Sequence, residues 1–142
     1  MEKRHLVSIA AVVVCVGALY WALGDHLPPR SPRKVARLVT GLSIPPGAEV
    51  VSFNDQWNVF GDGLAEVEFA LDPVSFETLK RQAAERGYRP LSAMSSDDAF
   101  VRSQVGDAEG LYRFNRTNKG AGYELTVLNN QTRHLLVRVL AP

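Results

Sequence analysis

The stretch "LAEVEFALDPVSFETLKRQAAERG", residues 64–87, decides the fold. Its first half alternates: Ala65, Val67, Phe69 and Leu71 fall on one side of an extended chain, Glu66 and Glu68 on the other. A period of two with polar and apolar faces is a half-buried β-strand. At Asp72-Pro73 the period changes. Asp is a favoured N-cap, Pro a favoured first helical residue, and Phe76, Leu79 and Ala83 then recur at helical spacing until Gly87 stops the run. A strand feeding an amphipathic helix within 24 residues predicts sheet and helix layers in one small domain.

The same reasoning extends outward. "AEVVSF" (48–53) is a second strand, joined to the first by "NDQWNVFGDG" (54–63), whose Gly-Asp-Gly end is read as a tight turn. "YRPLSAMSSDDAFVRSQVGDAEG" is read as a long, weakly structured connection. Three more strands follow, "GLYRFNR" (110–116), "GYELTVLN" (122–129) and "RHLLVRVL" (133–140), with "NKGAG" and "NNQT" as turns. Short-looped strands favour antiparallel pairing, and one amphipathic helix can cover one face of such a sheet. The expectation is an α+β fold: a two-layer domain, residues 42–142, with a mainly antiparallel sheet of about five strands on one main helix.

Ahead of it, Ser31 and Pro32 open a short helix with Val35, Leu38 and Val39 on one face and Gly41 at its end. "GDHLPPRSP" before it is a stiff, Pro-rich spacer, so residues 25–41 read as spacer plus short helix. Residues 1–24 are different again. "MEKRH" precedes "LVSIAAVVVCVGALYWAL" (6–23), an uncharged run that as a helix reaches about 27 Å, close to a hydrocarbon core of about 30 Å. Tyr20 and Trp21 fall where aromatic rings favour the membrane–water boundary.

Three fates compete for that run. Lipidation at Cys15 needs a small residue before the cysteine, and Val14 stands there. Cleavage after Gly24 has small residues in "ALG", but the run exceeds the usual apolar region of a signal peptide, about 7–15 residues, and bulky Tyr20 and Trp21 crowd the site. Retention as a single-pass anchor, with the lipid bilayer as partner of residues 6–23, is favoured. Basic residues lie on both sides of the run; the short basic tip points to an extracytoplasmic domain.

Net charge of +1 gives no electrostatic case for nucleic acid. Cys15 is the single cysteine, so there is no disulfide framework and no Cys metal site. The histidines, His5, His26 and His134, stand apart; neither a metal nor a cofactor is expected. Asp97 and Asp98 are adjacent carboxylates better read as a cap or solvated loop. Two N-x-T sequons, at Asn115 and Asn130, matter only in a glycosylating pathway.

The candidate binding surface is the outward side of the sheet, assigned as Glu66, Glu68, Arg113, Glu124, Thr126, His134 and Arg138. Within it Arg113, Glu124, His134 and Arg138 are the chosen residues, joined by Trp57 and Phe60 of the first loop, since aromatics on loops are frequent binding anchors. A protein or cell-wall component is the expected partner.

"IPPGAEVV", "FGDGLAEVEFAL" and the final strand–turn–strand together resemble small, uncharacterised bacterial membrane-anchored or lipoprotein α+β domains, over roughly residues 41–142. The resemblance implies a cell-envelope placement and supplies no catalytic residue. The leading expectation is a membrane-tethered, non-enzymatic binding or assembly module of the bacterial cell envelope. The alternatives are a hydrolase-like enzyme using Asp97, Asp98 or His134, and a membrane-tethered immunity or inhibitor protein.

Overall fold

The computed structural model describes residues 11–19, 21, 30–57, 62–95, 99–116 and 121–141. They fall into two units, Met1–Arg30 and Ser31–Pro142. In the first, residues 11–19 and 21 are helical (α1). Among the described residues no helix is long and apolar enough to cross a membrane. Much of the run 6–23, with Tyr20, lies outside them.

The second unit is α+β. It runs α2 (Pro32–Thr40), β1 (Glu49–Asp55), β2 (Gly63–Ala70), α3 (Pro73–Glu85), β3 (Arg89–Pro90), a 3-10 turn (Leu91–Ala93), α4 (Ala99–Val105), β4 (Gly110–Arg116), β5 (Tyr123–Asn129) and β6 (His134–Ala141). One antiparallel sheet holds six strands in the order β1-β2-β6-β5-β4-β3. The strands β3 to β6 form a meander, and the β1–β2 hairpin docks on it through β2 and β6, which pair over eight positions from Gly63↔Ala141 to Ala70↔His134.

The alternation in β2 is realised: Ala65, Val67 and Phe69 are fully buried, opposite Val139, Val137 and Leu135. Helix α3 buries Phe76, Leu79 and Ala83 against this face. Its N-cap is Asp72, whose Oδ1 accepts from the backbone N–H of Val74 and of Ser75, each at 3.0 Å. Hydrogen bonds from Ser75, then from Val74, hold the Asp72 carboxyl below its ordinary pKa of 3.8. The folded state therefore prefers the carboxylate. That contribution is complete above pH 3.8 and is lost as pH falls through the lower folded value. Asp72→Asn keeps a capping oxygen but removes the titration. Acid denaturation of the two proteins should diverge below pH 4, the variant showing the flatter loss.

Helix α2 is capped as expected, Ser31 Oγ accepting from the Lys34 N–H at 3.3 Å and Gly41 closing it at φ 66°. Its buried arc is Val35, Ala36, Val39 and Thr40, while Leu38 is exposed. At about 100° per residue Leu38 lies on the opposite side of Val35 from Ala36, outside that arc. The Thr40 hydroxyl donates to Ala36 O at 2.7 Å and accepts from the Leu42 N–H at 2.9 Å, which satisfies a buried polar group. Arg33 gathers the turn after α2, donating to the carbonyls of Pro45, Pro46 and Ala48. This helix, expected beside the spacer, is built into the core.

Three features of the expected architecture are corrected. The sheet has six strands, not about five, because Arg89–Pro90 adds a two-residue edge. Its first face carries two helices rather than one, since α2 and α3 bury residues in the same apolar cluster. The connection before β4 contains a third helix, and α4 covers the other face. There Val101 packs with Tyr112, Leu125 and Val127, edged by Phe100, Phe114 and Tyr123. The ring centroids of Phe100 and Tyr123 are 4.9 Å apart, edge to face. The cause lies in β5, where Leu125, Thr126, Val127 and Leu128 are all buried. A strand apolar on both sides must be covered on both.

Candidate functional site

Helix α4 and its flanking chain cover the β4–β5 half of their face. The β2–β6 half of the same face stays polar. Register places Glu66 opposite Arg138 and Ala70 opposite His134, with Glu68 one step along the same side. Glu68 Oε1 lies 2.7 Å from His134 Nδ1, and Arg138 Nε donates to Glu66 Oε2. The second arm of Arg138 reaches α4, donating from Nη1 to Gln104 Oε1. All four side chains are 24–32% exposed. They are held by neighbours yet open to a partner.

Beside them is a cleft of about 190 Å³, with Glu68, Gln104 and His134 as polar wall and Val105, Val127 and Leu136 as apolar floor. Among the described residues no three His, Cys, Asp or Glu side chains converge on a metal position. The arrangement offers an ordered carboxylate–imidazole pair, an Arg–carboxylate pair and a small apolar depression. Such a surface can recognise a partner by hydrogen bonds and shape.

The expected surface divides into two. Glu66, Glu68, His134 and Arg138 share this face. Arg113, Glu124 and Thr126 do not: Thr126 pairs with Val137 and Glu124 with Val139, both on the α2–α3 side, while Leu125 stands opposite Arg138. Arg113 pairs with Thr126 and follows it to that side. The expectation assumed that polar residues in every strand point the same way. In β4 and β5 they point towards the helices, because the apolar residues Tyr112, Phe114, Leu125 and Val127 are taken by α4.

Arg113 has a structural task there. Its Nη2 donates to Val39 O at 2.6 Å, and its guanidinium lies 5.0 Å from the Tyr88 ring centroid. The Tyr88 hydroxyl donates to Thr40 O at 3.4 Å. Both groups thus satisfy carbonyls at the C-terminal end of α2, where a cation is also favoured by the helix dipole. Burial raises the Tyr88 pKa, with the Thr126 hydrogen bond and the Arg113 charge opposing. Glu124 Oε2 accepts from Asn115 Nδ2 at 3.5 Å. Arg113→Ala should lower stability by about 1.5–3 kcal/mol, the range for a charge-assisted hydrogen bond. Arg138→Ala should cost no more than about 1 kcal/mol, as expected of partly exposed pairs. Urea titration of both variants checks the contrast.

Trp57 is half-buried and packs against the core, its backbone N–H donating to Asp55 Oδ1 at 3.3 Å. It anchors the loop. Phe60, Asp97, Asp98, His5 and His26 lie outside the described residues. Trp21 is 89% exposed on α1, and Cys15 on the same helix is also exposed. Gln104 is the residue that sequence reasoning missed, because the segment holding it reads as a weakly structured connection; the helical spacing of Val101 and Val105 was the available signal.

Fold and site together define a class: a small antiparallel α+β domain with an open polar half-face. No protein-family model, no curated protein and no solved structure matches the chain.

Proposed function

We propose that this chain is a membrane-tethered, non-enzymatic binding or assembly module of the bacterial cell envelope. Residues 6–23 form the tether, and the domain stands outside the cytoplasm. One observation carries the reading. The helical residues of α1 expose Val12, Val13, Val14, Val16 and Leu19, each more than 60%. At about 100° per residue these side chains point to several sides of the helix, and a helix apolar all round belongs in a core or in lipid. The second unit has its own buried core, built from Val35 onward. Its polar half-face at Glu66, Glu68, His134 and Arg138 is the surface offered for docking.

Fractionation with protease accessibility tests the proposal. The full chain should stay with membranes through alkaline carbonate and leave only with detergent, and protease added to intact cells (outer barrier opened) should digest the domain. A mature chain starting at Asp25 and found in the soluble fraction would remove the tether. Crosslinking in intact cells should also join the domain to an envelope component; no adduct at any surface position would count against a binding role.

A further inference from the structure

The two edges of the sheet are built differently. β3 is two residues long and one of them is Pro90, which has no N–H to offer. Short, proline-bearing edges resist further pairing. At the other end β1 is seven residues long, Glu49–Asp55, and contains neither proline nor a basic residue. Among the described residues its one paired side is taken by β2, and it is the terminal strand of the sheet. Val50, Val51 and Phe53 are 42%, 51% and 38% exposed.

We infer that the open edge of β1 accepts an extended strand from a partner protein, apolar at its centre and basic at both ends. The inference rests on the binding-module reading above but not on the tether. An edge strand turns a row of N–H and C=O groups outward, and the ligand that matches such a row is another strand. The exposed valines and Phe53 supply side-chain contacts beside that ladder. Charge then selects the occupant. The two charged residues of β1 are Glu49 and Asp55, acidic and at opposite ends.

A second copy of β1 is the wrong partner. Antiparallel overlap about Ser52 would set Glu49 against Asp55 at both ends, and like charges directly opposite are destabilising. Lysine or arginine at each end of a foreign strand reverses both signs. The register shift between Val50 and Ser52 adds a bulge in the middle of the edge. Edge bulges bend the ladder and discourage indiscriminate pairing.

The experiment uses the ¹⁵N-labelled full chain in detergent micelles and the end-blocked seven-residue peptide KVTVTVK, whose lysines are spaced to oppose Glu49 and Asp55. Binding should shift and protect amides within residues 49–55, and the acid-ended peptide EVTVTVE should bind at least roughly tenfold more weakly. Val51→Lys should weaken the basic peptide by a similar factor, since an edge lysine blocks pairing and repels it. Val74→Lys, at a 77% exposed valine of α3, should leave binding unchanged. Absence of binding, protection outside β1, equal affinity for the two peptides, or indifference to Val51→Lys would each overturn the inference. So would a dimer of the full chain abolished by Val51→Lys, which would make the occupant a second copy. Envelope crosslinks that persist in Val51→Lys would sink the edge inference and leave the module standing. Absence of every crosslink from the unsubstituted chain, with peptide binding intact, would do the reverse.

Discussion

Gly110→Ala should abolish or nearly abolish folding of the domain, with a loss of roughly 4 kcal/mol or more. Gly110 begins β4 at φ 147°, a conformation that L side chains rarely adopt. A Cβ there would sit 1.8 Å from Leu128 O and 2.9 Å from Leu128 C, atoms of the paired backbone of β5. Backbone has no rotamer to move aside. The strain of the dihedral, on the order of 1–3 kcal/mol, adds to a clash that is relieved only by parting β4 from β5. A small domain has about 5–15 kcal/mol in total. Gly87→Ala is the control: φ is 76°, but nothing lies within 4 Å of the added carbon. It should cost only about 1 kcal/mol, the backbone part alone. Denaturant titration of both variants, followed by near-ultraviolet circular dichroism, separates them. Similar midpoints would mean that β4 and β5 can shift at Gly110.

Phe69→Ala should cost about 3–5 kcal/mol, the usual range for emptying a buried phenylalanine site. The ring is fully buried at the middle of the core, in the strand that joins hairpin to meander, opposite Leu135. The Arg33 guanidinium lies 5.9 Å from its centroid, and the same guanidinium holds the carbonyls of the turn before β1. Loss of the ring therefore removes apolar contact and one support of that turn. Phe53→Ala, 38% exposed on the neighbouring strand, should stay within about 1 kcal/mol of the parent. Equal destabilisation by the two would show that the β1 edge is already covered by something in the folded chain.

The contrast between Phe69 and Phe53 also separates what was legible from what was not. β2 and α3 were readable because each has one wet and one dry side, so hydrophobic period and cap residues agree residue by residue. Asp72, Phe76, Leu79 and Ala83 take the positions that spacing assigns them. Helix α4 was not readable in this way. It has seven residues, Ala99–Val105, and buries only Val101 completely. So short a helix has little propensity of its own and is held by the aromatic residues Phe114 and Tyr123 from strands later in the chain.

Sequence by itself determined the elements with a one-sided pattern and the antiparallel, short-looped character of the C-terminal strands. It also determined the N-caps of α2 and α3, whose partners lie within three residues. Tertiary structure alone decided which polar residues share a face. His134 and Arg138 meet Glu68 and Glu66 across β2 and β6, roughly 70 positions apart, while Arg113 turns to the other side to close the end of α2. Alternation along one strand fixes relative directions only within that strand. Which of its two sides faces the helices is set by pairing register and by what packs above, and those are properties of the assembled sheet.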